Sequence, residues 1–434
     1  MTPVDATQEF PAAAQPVKRR GVLTTLLLLS ATIGSASAMR TVFSPVQEVA
    51  AASLHINDFQ MSLLQGLALS LPIAALAIPV GRITDRGNRA ALLFFLALLW
   101  TIGTALSVFG TEFWHIFLAR MLAGIGAFSS LTVAISMVAD LSTSDTRGRS
   151  LMLLSLGNMV GAAAAFAFGG ALLGYFAHAT PLIAGLEPWR NVLLVFSGVS
   201  LVLTLLLLTI REPARQEISE ANPALSVALR ELWERRGLLA PLFIGQVTVV
   251  MADAAASIWA APVLERHYNL TPEQYGGWMG GVILASGLVG AVFGGFAADF
   301  GHKSKIKGGI LIGAVIAAVL SIPGAFFSMM PDATSFAWML WLLLTCGAIT
   351  GLVTAAAIAV LVPNEIRGVC LGAFIVIGAI IGFGVAPTLV TLIADLIGGE
   401  ESLRLGLALT GAGTSALAAI GFISALLRAR KSQA

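Results

Sequence analysis

The loop Gly81-Arg82-Ile83-Thr84-Asp85-Arg86-Gly87-Asn88-Arg89 returns, degenerate, as Gly295-Phe296-Ala297-Ala298-Asp299-Phe300-Gly301-His302-Lys303. Glycine, aspartate, glycine and a basic residue recur at an offset of 214 in a chain of 434, so the repeated unit is nearly half of the molecule. Each copy follows one long apolar run and precedes another. A membrane domain duplicated as two parallel halves explains this arrangement, and a soluble enzyme does not. The repeat extends beyond the loops. Asn57 and Thr271, both N-cap residue types, precede the second and eighth apolar runs at the same offset. Arg147-Gly148 and Arg367-Gly368 recur 220 apart after the fourth and tenth.

Composition agrees. Only 11% of residues are charged, against roughly 25% in a soluble domain. Mean hydropathy is +0.89, so most of the surface must face lipid or other apolar helices. A net charge of +2 is too small to argue for nucleic acid. Cys346 and Cys370 lie in apolar stretches and read as buried thiols. His55, His115, His178, His267 and His302 are scattered without metal-ligand spacing, and no metalloprotease, nucleophile-elbow or P-loop motif is present. Residues 1–20 end in Lys18-Arg19-Arg20, and Ser35-Ala36-Ser37-Ala38 follows an apolar run, which imitates a signal peptide. The run continues to about Val46, however, and reads as a first transmembrane helix whose small residues allow close packing.

A bilayer core of roughly 30 Å needs about 20 apolar residues per helix. Twelve spans are predicted, near 22–46, 58–80, 90–110, 115–139, 150–175, 191–210, 239–262, 275–298, 308–329, 336–361, 369–394 and 404–427. Alternate loops hold the basic residues: Lys18 to Arg20, Arg82/Arg86/Arg89, Arg147/Arg149, Arg211 to Arg236, Lys303/Lys305/Lys307, Arg367, and Arg428/Arg430/Lys431. Arg190, Arg266 and Arg404 are the main exceptions. The positive-inside rule then places both termini in the cytoplasm of a cell bounded by the cytoplasmic membrane. The organisation is a tail over 1–20, a six-helix bundle over 21–210, a linker over 211–238, a second bundle over 239–427 and a tail over 428–434. The linker carries Pro213, Pro223 and a mixed-charge helix expected to lie at the membrane surface.

Ionisable side chains inside a bilayer are costly, from about 2.5 kcal/mol upward, and point to function. Arg40 in span 1, Arg120 in span 4 and Asp253 in span 7 are the candidates, with an excess positive charge that an anionic headgroup would balance. The bland alternative is snorkelling, or a permanent pair with Asp253. Asn158, Gln246 and Thr248 are the neutral polar groups at membrane depth, able to bind substrate or to link helices. Trp259, Trp278, Trp338 and Trp341 read as interfacial belts. Gly157/Gly161, Gly290/Gly294 and Gly378/Gly382 read as close helix crossings, and Pro72 and Pro387 as kinks. In the repeated loops Gly81, Asp85, Arg86, Arg89 and Asp299, with Asp140 and Arg147 after span 4, form a candidate gate in which Asp85 pairs with a cation such as Arg147 or faces a helix N-terminus of the other half.

These residues resemble a known group. G-x-x-x-D-R-x-x-R between spans 2 and 3, its echo between spans 8 and 9, and Arg120 in span 4 look like the major facilitator superfamily, over essentially the whole chain. The resemblance implies two pseudo-symmetric six-helix bundles enclosing a central cavity that works by alternating access. Arg40-Thr-Val-Phe-Ser-Pro-Val, Leu54-His-Ile-Asn-Asp-Phe-Gln, Arg120-x-x-x-Gly124-Ile125-Gly126 and Trp259-x-x-Pro262-x-Leu264-x-Arg266 further resemble the Spinster-like branch. That branch is associated with lysophospholipid and sphingosine-phosphate transport, and implies Arg40 as headgroup ligand and Arg120 as part of the span 4 motif. Where the branch carries an acid before the span 1 arginine and a glutamate in span 4, this chain has Met39 and Ala127. Asp253 is then the one obvious intramembrane acid left for proton coupling, and facilitated diffusion or anion exchange gains weight.

The expectation is an all-α membrane protein of 12 transmembrane helices that is a transporter and not an enzyme. It moves an amphiphilic organic anion such as a lysophospholipid. The alternatives are efflux of drugs or aromatic acids and, outside transport, a non-transporting sensor. Expected partners are the amphiphilic anion, the lipid bilayer and protons, with no nucleic acid, metal or cofactor, in a monomer.

Overall fold

Long apolar runs deprived of water must satisfy their backbone internally, and here they do so as helices. The structure is a computed structural model that describes residues 19–215, 225–304, 306 and 308–432. Most of the expected N-terminal tail, the middle of the linker, Lys305, Lys307 and the last two residues lie outside the described residues. Among the described residues, twelve helical segments are long and apolar enough to cross a membrane: span 1 Gly21–Leu54, span 2 Asp58–Ala77, span 3 Arg89–Phe109, span 4 Phe113–Leu141, span 5 Thr146–His178, span 6 Pro188–Thr209, span 7 Arg236–Arg266, span 8 Pro272–Gly301, span 9 Gly309–Met329, span 10 Ala333–Leu361, span 11 Gly368–Ile397 and span 12 Leu403–Lys431. No strand occurs among the described residues. A short linker helix, Leu225–Glu234, precedes span 7.

The halves repeat in space as in sequence. Span 2 packs on 4 and 8 on 10; span 3 on 6 and 9 on 12; span 1 on 5 and 7 on 11. The starts repeat too. Asn57 and Thr271 each form a capping box with the glutamine three residues on, Gln60 and Gln274, which satisfies donors that the first turn leaves free. The halves meet where span 5 packs on span 8 and span 2 on span 11. Small residues set how close they come: a Cβ at Gly170 would run into the Pro272 carbonyl, and one at Gly66 into that of Phe383. Within the first bundle, Gly157 and Gly161 face Ser30 and Gly34 of span 1 in the same way, whereas of the Gly378/Gly382 pair only Gly382 meets another helix.

Proline shapes several spans by withholding a donor from the carbonyl four residues earlier. Pro72 and Pro387 each follow a widened, π-helical stretch, Leu63–Leu67 and Gly378–Val385, at the contact of spans 2 and 11. In span 7, Pro241 leaves the Gly237 carbonyl to Arg428 Nη1 at 2.7 Å. One expected belt residue is misplaced. Trp259 is fully buried and donates to the Pro387 carbonyl at 3.0 Å, because span 7 lies inside the molecule rather than against lipid. Trp338, stacked edge-on against Trp341, is exposed on the surface.

Candidate substrate site

A cavity of about 210 Å³ lies between the bundles and draws on eight of the twelve spans, four from each half. Arg40 ends the first helix of span 1, and its guanidinium reaches Asn158 Oδ1 of span 5 at 3.3 Å and Ser37 Oγ at 3.4 Å. It lies over the Phe128 ring at 4.7 Å and near Phe383 at 5.9 Å, one aromatic from each bundle. Its Nε has no hydrogen-bond partner. Asp253 of span 7 lines the same cavity, and its buried Oδ1 is likewise unpartnered. Gly347 gives that carboxylate room, since a Cβ there would overlap it. Among the described residues, Arg40 and Asp253 form no ion pair, with each other or with any other group. Burying an uncompensated charge costs about 3–5 kcal/mol, so two such groups in one cavity mark a place shaped for something other than stability. Thr41, Ser44, Gln65 and Ser257 add neutral polar groups to the lining, and the rest of the wall is apolar, with Leu69, Phe166, Met279, Ile283, Leu340 and Leu344 its larger side chains.

The other expected ligands lie elsewhere. Arg120 is 1% exposed, and its guanidinium donates to the carbonyls of Met39 (3.3 Å), Arg40 (3.2 Å) and Leu64 (3.4 Å). It neither snorkels nor pairs with Asp253. It closes the end of the span 1 helix, whose last carbonyls lack helical donors, and ties it to the widened turn of span 2. Gln246 accepts from Thr354 Oγ1 at 2.9 Å, linking spans 7 and 10, and Thr248 bonds within its own helix. Neither lines the cavity.

At the end bearing the repeated loops, the expected Asp85–Arg147 pair is not formed. Asp85, Arg86 and Asp299 are exposed, and Arg147 donates to the Ala139 carbonyl at 3.3 Å. Arg89 instead organises this end. It is 2% exposed and holds Asp140 Oδ2 at 2.5 Å, Glu212 Oε1 at 2.7 Å and the Pro213 carbonyl at 3.1 Å. Arg215 then bonds the carbonyls of Thr84, Asp85 and Gly87. The motif therefore fastens the start of the linker to the first bundle, and a Cβ at Gly81 would meet nothing.

Among the described residues, the polar side-chain contacts that join the bundles lie at the opposite end. Arg266 of span 7 holds Glu48 through two bonds of 2.8 Å and Asp58 through two of 2.7 Å. Ser62 Oγ meets Thr388 Oγ1 at 3.1 Å, and Gln47 Nε2 donates to the Ile258 carbonyl at 2.9 Å. Beside this clamp His267 contacts Arg404, and partial burial followed by that guanidinium holds it below the ordinary histidine range. The clamp escapes a reading of the sequence by membrane depth, because all three residues sit at span ends. Its one signal is that Arg266 breaks the charge asymmetry of the loops. A second signal concerns the cavity: the offset of the repeat carries Asp253 onto Met39, the position beside Arg40 where the resemblance leads one to expect an acid.

Two six-helix bundles sharing one internal cavity define the two-bundle membrane transporters as a class. The chain belongs to the Major Facilitator Superfamily, whose profile it matches over residues 28–387. It is 28% identical over 259 residues to protein spinster homolog 1 of Xenopus tropicalis, covering 55% of this chain and 47% of that one. The chain thus spans about half the length of this relative. It is also 28% identical over 305 residues to the class E tetracycline resistance protein of Escherichia coli, covering 65% of this chain and 66% of that one. In fold it is similar to a bacterial homologue of the human lysosomal transporter Spinster, solved in an inward-facing, unoccupied conformation, with a TM-score of 0.78 at 21% identity over 95% of this chain and 98% of that one.

Proposed function

We propose that the protein moves an amphiphilic organic anion, a lysophospholipid or a molecule of that build, across the cytoplasmic membrane by alternating access. The observation that carries this reading is a pair of charged groups, Arg40 and Asp253, that lie in one cavity between the bundles without an ion-pair partner among the described residues. Arg40 takes the anionic head with Asn158 beside it, and the aromatic and aliphatic wall takes the chain. Asp253 faces the same space without a donor, which suits a carboxylate that takes up a proton or receives a cationic group on the substrate. With both termini in the cytoplasm, as the basic loops require, the Arg266 clamp closes the outer side and the Arg89 end is the side that opens inward.

Proteoliposome flux of lysophosphatidylglycerol tests the reading. Arg40→Ala should lower flux roughly 30-fold or more, as truncating one partner of a buried charge contact does, while leaving the protein folded. Unchanged flux in that variant sinks the headgroup assignment. Asp253→Asn should remove the pH dependence of uphill transport; a variant that keeps it rules the residue out as the proton carrier. Efflux of drugs or aromatic acids is the second reading, favoured by the similarity to the tetracycline resistance protein, and tetracycline flux under the same conditions separates the two.

A further inference from the structure

Span 7 is gripped from the first bundle at two levels, and the buried one leads back to the cavity wall. Pro262 cannot donate to the carbonyl of Ile258 one turn before it, so that carbonyl needs another donor. Gln47 supplies it across the bundle interface at 2.9 Å and is fully buried. A flexible amide does not keep such a position unaided. Gln65 Nε2 donates to Gln47 Oε1, and Ser44 Oγ donates to Gln65 Oε1 at 3.1 Å. Ser44 and Gln65 line the cavity, and Gln47 does not. Two turns on from Ile258, Arg266 holds Glu48, the residue next to Gln47. Amide and guanidinium thus act on one short piece of span 7, residues 258–266.

We propose that Gln65 is a positioning residue that couples the substrate cavity to the seal at the Arg266 end. By orienting Gln47 onto the Ile258 carbonyl it holds span 7 against the first bundle. A polar group of the substrate that takes Ser44 or Gln65 releases that hold. The occupant rests on the transport reading above, whereas the relay acts in the empty protein and is measured there. Among the described residues, the side-chain hydrogen bonds of Gln65 stay within the first bundle, so its polar link to span 7 runs through Gln47.

The test is the distance between spin labels on Ala52→Cys and Glu401→Cys, both exposed near the seal, in nanodiscs without added ligand and with Cys346 and Cys370 replaced by alanine. Gln65→Leu should raise the long-distance population about fivefold, the share that one net hydrogen bond controls. Gln47→Leu should do the same, as should Pro262→Ala, which returns a helical donor to Ile258. Gln65→Met keeps much of the volume, loses both amide contacts and should act like Gln65→Leu if that variant fails to fold. Ser197→Ala, which removes a buried hydroxyl of span 6 that bonds within its own helix and lies outside the cavity, should match the parent. Parent-like distances in both Gln65 variants, or an equal shift in Ser197→Ala, overturn the relay. Lysophosphatidylglycerol flux in the parent is measured separately, so loss of the relay and loss of the transport reading are told apart.

Discussion

Arg40 and Arg120 are the same residue type at similar depth, yet they do different work because of what surrounds each. Arg120 has three carbonyl acceptors at 3.2–3.4 Å, and Arg40 has two weak contacts, two aromatic rings and a free Nε. Removing Arg120 leaves buried carbonyls without donors, a loss on the order of 3 kcal/mol. Arg120→Ala should therefore lower the unfolding temperature in detergent well below that of Arg40→Ala, which should stay close to the parent. Equal melting temperatures for the two variants would contradict the division of labour. Depth in the membrane singles out both arginines in the sequence. Depth does not separate them, because acceptors on the ends of spans 1 and 2 come to Arg120 only through packing.

Helices here are steered by the residues they lack room for and the donors they are missing. The glycines of spans 2, 5 and 8 bring backbones from opposite halves into contact, whereas Gly157 and Gly161 work inside one bundle. Gly170→Leu should consequently prevent closure at the Arg266 end, seen as increased labelling of Ala52→Cys by an impermeant maleimide in right-side-out vesicles. Gly81→Ala should leave labelling unchanged, since a Cβ at that position meets nothing. Which glycines serve which contact is invisible in a G-x-x-x-G spacing, since the spacing names one surface and the partner comes from tertiary structure. Proline is more legible. Each Pro inside a span announces a carbonyl without its helical donor, and at Gly237 and Ile258 another helix supplies one.

For the molecule as a whole, the two ends differ. Contacts joining the bundles gather at the Arg266 end, and the Arg89 network at the other end stays with the first bundle and the linker. Ser62 and Thr388 lie across the interface with hydroxyls 3.1 Å apart. Ser62→Cys with Thr388→Cys should form a disulfide under mild oxidation and arrest flux, and reductant should restore it. Full flux in the oxidised double variant would mean that this seal does not open in the cycle.

Sequence alone determined the class, the count of spans and the duplication, because each follows from properties that are local or periodic: apolar run length, loop charge and a pattern repeated at a constant offset. It also placed Arg40, Asn158 and Asp253 among the candidates, because ionisable and polar groups at membrane depth are rare enough to stand out. Only the tertiary structure decided which of them share a cavity, which arginine is scaffold, and that the residues joining the bundles include Arg266, Glu48, Asp58 and Gln47. Those decisions depend on contacts between residues from 56 to 218 positions apart. Such contacts are set by how helices pack within and between the bundles, and no local pattern records them.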